Sequence, residues 1–155
     1  MPDNDWDEML VAATGEVLET MFFASVYGPA QLDGAAAEPR LAARLGFEGT
    51  PSGILTLSVS EPAVRGLAAN FLGAEQDDQV PFAQLGGVVC ELANMICGAL
   101  LTRVQTEVHF RLSSPELVPD GDPGLHSAPR QSLAVGDGVG DGTIDLWLAV
   151  EHHAN

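Results

Sequence analysis

Glu91 and Asn94 stand three residues apart in the stretch GGVVCELANMICGALLTRV, residues 86–104, which is otherwise apolar at most positions. A carboxylate and a carboxamide in such a run are costly if they are buried without partners, so the face each occupies decides what it is for. At about 100° per residue a helix puts Leu85, Val89, Leu92, Ile96 and Leu100 on one arc, with Gly87, Glu91, Asn94 and Gly98 together on the opposite one. Residues i and i+3 are neighbours on a helix surface. The pair therefore offers one object two different groups: a carboxylate that only accepts hydrogen bonds and a carboxamide that accepts and donates. Glycine inside a helix costs about 1 kcal/mol relative to alanine, a cost that a merely solvated face has no reason to carry at both 87 and 98. A face cleared of side chains lets another molecule come close. The plainer reading stays open, because any helix lying on a sheet has a polar outer face.

Other residues with chemical potential form weaker patterns. Cys90 and Cys97 are seven residues apart in the same run, which in a helix separates them by roughly 10 Å along the axis. That exceeds the Cα separation of about 7 Å that a disulfide tolerates, so both read as free thiols that pack in a reducing compartment. His109 falls in a predicted strand, His126 in a loop, and His152 and His153 at the terminus, without metal-ligand spacing. The segment GDGVGDG, residues 136–142, has a calcium-loop composition but lacks the twelfth-position glutamate, and a Gly/Asp hairpin turn explains it.

The elements that must position residues 86–104 follow from periodicity. Residues 5–27 place Trp6, Leu10, Ala13, Val17, Met21 and Ala24 on one stripe, which predicts an amphipathic helix. Alternation predicts two strands: Leu41, Ala43, Leu45 and Phe47 in one, Leu55, Leu57 and Val59 in the next, joined by a turn around Gly49 to Gly53. EPAVRGLAANFLG, residues 61–73, reads as a short helix with Pro62 in its first turn and Gly73 at its stop. After the long helix, TEVHFRLS (106–113) reads as a strand, SPELVPDGDPG (114–124) as a loop, and RQSLAVGDG and GTIDLWLAVEHH as strands. The predicted order is helix, two strands, two helices, three strands, so helix-then-strands occurs twice and hints at an internal duplication.

At 155 residues the chain suits one compact domain, 1–155, and offers no linker long enough to divide it. Twenty-two acidic against six basic residues give a net charge of -16, which repels phosphate backbones and anionic lipid and argues against nucleic acid as a partner. The start MPDNDWDEML has no basic n-region and no apolar h-region, so it does not read as a secretion signal, and a cytoplasmic location is expected. Glu91 and Asn94 interrupt the apolar run near its middle, which argues against membrane insertion.

ELANMICG, residues 91–98, resembles the ExxN motif with its following glycine in the CheC/CheX/FliY family of chemotaxis phosphatases. VLETMFF in the first helix, SGILTLSVS before the second and LSSPELV after the motif helix also resemble the CheX-like branch, so the likeness runs over roughly residues 10 to 150. It implies an α/β (α+β) fold in which an antiparallel sheet carries long helices on one face in a pseudo-duplicated topology. It also implies hydrolysis of the aspartyl phosphate of a CheY-like response regulator, in chemotaxis or related two-component signalling. The protein would need no cofactor of its own, since Mg2+ and a lysine belong to the receiver. Asn94 would hold the attacking water, Glu91 would pair with the receiver's lysine, and Gly87 and Gly98 would permit the approach. A homodimer built through sheet edges is implied as well. Two-site members repeat the motif in the first helix, where Glu16 and Glu19 have no Asn in register, so one site per chain is expected. The competing reading is a non-catalytic module that uses the same face to bind a receiver or flagellar-switch partner.

Overall fold

The computed structural model describes residues 3–30, 39–74, 80–104, 109–119, 121–138 and 141–151. Helix α1, Asp3–Met21, buries Trp6, Leu10, Ala13 and Val17 as its period requires, and Leu18 and Phe22 extend the buried stripe. It is shorter than the sequence predicts. Met21 is 43% exposed instead of lying on the stripe, and residues 25–29 form a strand, β1 (Ser25–Pro29). The helix ends because Phe23 turns into the left-handed region at φ 52, which lets the Ala24 N–H reach back to the Leu18 carbonyl at 3.0 Å. The Asn70 side chain fixes the turn by donating to the Phe22 carbonyl at 2.8 Å.

Strands β2 (Arg40–Glu48) and β3 (Ser52–Ser60) pair as an antiparallel hairpin, with Leu45 opposite Leu55 and Ala43 opposite Leu57. Helix α2, Glu61–Leu72, has Pro62 in its first turn and ends at Gly73, whose φ of 74 suits a residue without a Cβ. Helix α3, Phe82–Val104, follows. Then come β4 (Arg111–Leu112), β5 (Glu116–Val118), a 3-10 turn over Pro123–Leu125, β6 (Gln131–Gly136) and β7 (Gly142–Glu151). Two expectations change here. The predicted loop 114–124 contains β5 and the 3-10 turn, and the predicted strand 106–113 is a strand only at Arg111–Leu112, with His109 outside it and residues 105–108 outside the described residues.

The seven strands form one antiparallel sheet in the order β1-β6-β7-β3-β2-β4, with β5 also pairing β2. Exchanging the two halves of the chain, so that β1, β2 and β3 take the places of β4/β5, β6 and β7, returns the same order read backwards. The topology is therefore pseudo-duplicated, and the halves interleave: β1 lies outside β6, and β4 and β5 lie outside β2. All three helices cover one face. Leu55, Leu57, Val59, Ile144, Leu146 and Leu148 point from the sheet into a single core shared with Leu10, Leu18, Leu85, Leu92 and Ile96. The opposite face is polar and cross-tied. Arg40 donates to the hydroxyls of Ser58 and Thr143, each at 2.8 Å, and lies 3.5 Å from Asp145, while Arg44 donates to Thr56 at 3.0 Å and to Asp122 at 2.8 Å.

Candidate functional site

Helix α3 is held by both halves of the molecule. Leu85, Val89, Leu92, Ile96 and Leu100 are all essentially inaccessible, which confirms the predicted core arc, and Val88, Ala93, Cys97 and Leu101 widen it. By length and composition the helix could cross a membrane, but 56% of its apolar window is buried inside the protein, where that apolarity serves the core. At its C-terminal end Arg103 donates to the Glu16 carboxylate of α1 at 2.7 Å, fixing the two long helices against each other. At its start Val80 and Leu85, at the spacing of a hydrophobic staple, are both buried.

With that arc inward, Gly87 and Glu91 are exposed and Asn94 and Gly98 are half-buried on the outer side. Neither Glu91 nor Asn94 has a hydrogen bond or ion pair to another side chain or to the backbone among the described residues. Their polar atoms are available to something outside the chain. A Cβ built on Gly87 or on Gly98 would meet no atom within 4 Å, so the surface beside both polar groups is open. The structure thus brings all four predicted residues to one accessible stripe of one rigid helix.

The adjacent glycine behaves differently. A Cβ on Gly86 would fall 2.8 Å from Leu117 Cδ1, because β5 packs its leucine across bare helix backbone. The sequence reading singled out Gly87 and Gly98 and did not weigh Gly86, whose bare backbone meets a neighbour within the chain. Two apolar side chains at the same end of α3 escaped the sequence reading: Phe82, 61% exposed, and Leu117, 54% exposed.

The remaining candidates lie apart from this stripe or beside it in the core. Burial pushes the Cys97 thiol up to about 12, and burial together with the Glu91 charge raises that of Cys90, so neither is poised as a thiolate nucleophile. In α1, Glu16 is taken by Arg103, and Phe22 is buried and stacked on Phe71 with ring centroids 5.0 Å apart. In α1, then, neither Glu16 nor Glu19 has an asparagine in register, and Glu16 is already engaged by Arg103. GDGVGDG joins β6 to β7, with Asp141 accepting from the Gly138 N–H at 2.9 Å and from the Tyr27 hydroxyl at 3.0 Å, while residues 139–140 lie outside the described residues. His126 follows the 3-10 turn, and His152 and His153 lie outside the described residues. Among the described residues no three His, Cys, Asp or Glu side chains converge as a metal site.

The interleaved antiparallel sheet with its helices on one face matches the fold of solved CheX, CheC-like and FliY structures. The family model described as chemotaxis phosphatase CheX matches residues 41–134, more than half of the chain, and the protein belongs to that family. Among solved structures, the chain is similar to the chemotaxis protein CheX from Vibrio vulnificus, with a TM-score of 0.66, 17% identity, and 94% of this chain and 99% of that one covered. A CheX from Desulfovibrio desulfuricans gives a TM-score of 0.64 at 20% identity, covering 94% and 99%. CheX in a CheX-CheY-BeF3-Mg2+ complex from Borrelia burgdorferi gives 0.60 at 18% identity, covering 96% and 99%. No curated protein sequence matches the chain. At these identities the structural neighbours establish the fold.

Proposed function

We propose that the protein hydrolyses the aspartyl phosphate of a CheY-like receiver domain, with Glu91 and Asn94 as the working pair. The observation that carries this reading is the exposed, internally unbonded Glu91–Asn94 pair on a stripe whose glycines leave open space. Membership of a phosphatase family and the likeness to a CheX solved together with CheY support it.

The division of labour follows from charge. Phosphoryl transfer asks mainly for positioning and electrostatic stabilisation, and the receiver brings Mg2+ and a lysine to its own phosphate. What it needs is an oriented water. Asn94 can accept one hydrogen bond from that water and donate another, in line with the phosphorus, without adding negative charge. Glu91 is unsuited to that task because a carboxylate beside a phosphoryl group is repelled, but it is suited to pair with the receiver lysine and seat the helix. Gly87 and Gly98 let the receiver's loops approach the α3 backbone. No resident cofactor enters this scheme.

We further propose a homodimer through a sheet edge. The outer edge of β1, five residues long and paired only to β6, is the longer of the two edges available. Light scattering at micromolar concentration should give twice the chain mass.

The deciding assay phosphorylates candidate receivers with a small-molecule phosphodonor and follows decay with and without the protein. Acceleration that saturates with concentration is the expected result. Binding without acceleration would move the protein to the non-catalytic module reading.

A further inference from the structure

Glu91 has two neighbours on the next turn of α3, and they differ in kind. At about 100° per residue, Asn94 at i+3 falls about 60° to one side of Glu91, and Met95 at i+4 falls about 40° to the other. Gln84, Gly87, Gly98 and Thr102 lie within about 40° of Glu91, so the accessible stripe runs from Gln84 to Thr102, about 27 Å along the axis. Among these described residues Met95 carries the one large apolar side chain. It is half-buried, packing against the core with part of its surface and leaving the rest on the stripe. Helical side chains lean toward the N-terminus, so Met95 leans over the turn that carries Glu91.

What lies against Met95 follows from the shape of the group that meets Glu91. A lysine is an ammonium on four methylenes, and its stem lies along apolar surface when its head is paired. The rest of the stripe cannot supply that surface. Gly87 and Gly98 are bare, the Thr102 hydroxyl donates back to the Gly98 carbonyl at 2.9 Å, and Gln84 and Asn94 are polar. Methionine, unbranched and polarizable, also adapts well to the contour of a partner. The same contact keeps water from one side of the ion pair, and an ion pair is stronger where water is displaced. Water keeps the Asn94 side, where hydrolysis requires it.

We infer that Met95 is a positioning residue that receives the methylene stem of the receiver lysine whose ammonium meets Glu91. This rests on the phosphatase reading above. Met95 touches none of the reacting atoms, so it governs how much protein is needed and leaves the rate at saturation alone.

The test compares wild type with Met95→Gln, Met95→Lys and Met95→Leu, and repeats Met95→Gln in a Glu91→Ala background. Gln keeps the length and helix propensity without the apolar end. Lys keeps an apolar stem against the core and sets a like charge before the incoming ammonium. Leu restores apolar surface at similar volume. Decay of a receiver phosphorylated by a small-molecule phosphodonor is measured from subsaturating to saturating protein, with circular dichroism alongside. Met95→Gln should raise the half-saturating concentration about 5- to 10-fold, the size expected when about half of a methionine's burial is lost, with the rate at saturation within about twofold of wild type. Met95→Lys should raise it further and recover in part as salt is raised, and Met95→Leu should stay within about twofold. In the Glu91→Ala background Met95→Gln should add less than about twofold, because the stem is no longer seated there. Where circular dichroism shows Met95→Gln unfolded, Met95→Lys decides. An unchanged half-saturating concentration in both polar variants beside an active wild type overturns the inference. An undiminished effect in the Glu91→Ala background overturns it too, by placing Met95 against another part of the receiver. A fall in the rate at saturation without a rise in the half-saturating concentration overturns the positioning role. A wild type that neither binds nor turns over any receiver overturns the role of Met95 and the phosphatase reading together.

Discussion

Asn94 is the residue on which the chemistry turns, because a carboxamide is the neutral group that can both accept from and donate to a water beside a phosphate. Asn94→Ala should cost about 10²- to 10³-fold in the decay rate at saturating protein, the size expected when one well-placed hydrogen-bonding group is lost. Receiver affinity should survive. Glu91→Ala should weaken affinity as well as turnover, and its deficit should shrink as salt is raised, since the pair it removes is electrostatic. Both variants should keep the fold, because neither side chain has a partner among the described residues and alanine favours helix. Decay curves at two salt concentrations with circular dichroism check all of this. Unchanged decay in Asn94→Ala at saturation removes the catalytic role. Leu92→Ala, on the buried arc next to Glu91, makes the contrast: it should cost about 2–5 kcal/mol of stability in a denaturant titration.

Helix α3 serves the core with one face and the partner with the other, and its glycines show which demand prevails where. Gly87 has room for a methyl group, so Gly87→Ala should stabilise the helix by about 1 kcal/mol and raise Tm by about 2–4 °C. The same methyl would stand on the docking stripe and raise the half-saturating concentration for the receiver. A higher Tm with undiminished association would place Gly87 off the interface. Most of this element could be read before any coordinates, because the period of Leu85, Val89, Leu92, Ile96 and Leu100 has one solution as a helix, and that solution turns Glu91 and Asn94 outward. The shorter elements could not. β1 adjoins α1 without a Gly or Pro to mark the break, since the left-handed stop falls on Phe23. β5 is three residues between prolines and is a strand only because β2 supplies the pairing, with Leu117 opposite Ala43. For the same reason the contact between Leu117 and Gly86, and the groove it makes with Phe82, depend on a pairing that no local pattern announces.

Across the whole molecule, five of the six arginines are engaged in ion pairs: Arg40 with Asp145, Arg44 with Asp122, Arg65 with Glu61, Arg103 with Glu16 and Arg130 with Asp7. The positive charge of an acidic chain is thus spent on tying elements together. Arg44 is the clearest case, since its hydrogen bond holds the Asp122 carboxyl below the usual carboxylate range. A depressed folded-state value means that the pair's stabilisation is present above the unfolded pKa of about 3.9 and is lost as pH falls through the folded value. Asp122→Asn should therefore lower Tm at pH 7, and the gap from wild type should narrow on acidification below about pH 4 in a series of thermal melts. The interleaved sheet has a different consequence, which concerns how the chain is made. Each half lends its first strand to the other half's edge, so neither can complete its own sheet, and Ser25 of β1 pairs with Gly136 of β6, 111 residues later. During synthesis at about 5–20 residues per second, β1 waits roughly 5–20 s for its partner, and the nascent chain spends that interval with its first strand open to solvent and chaperones.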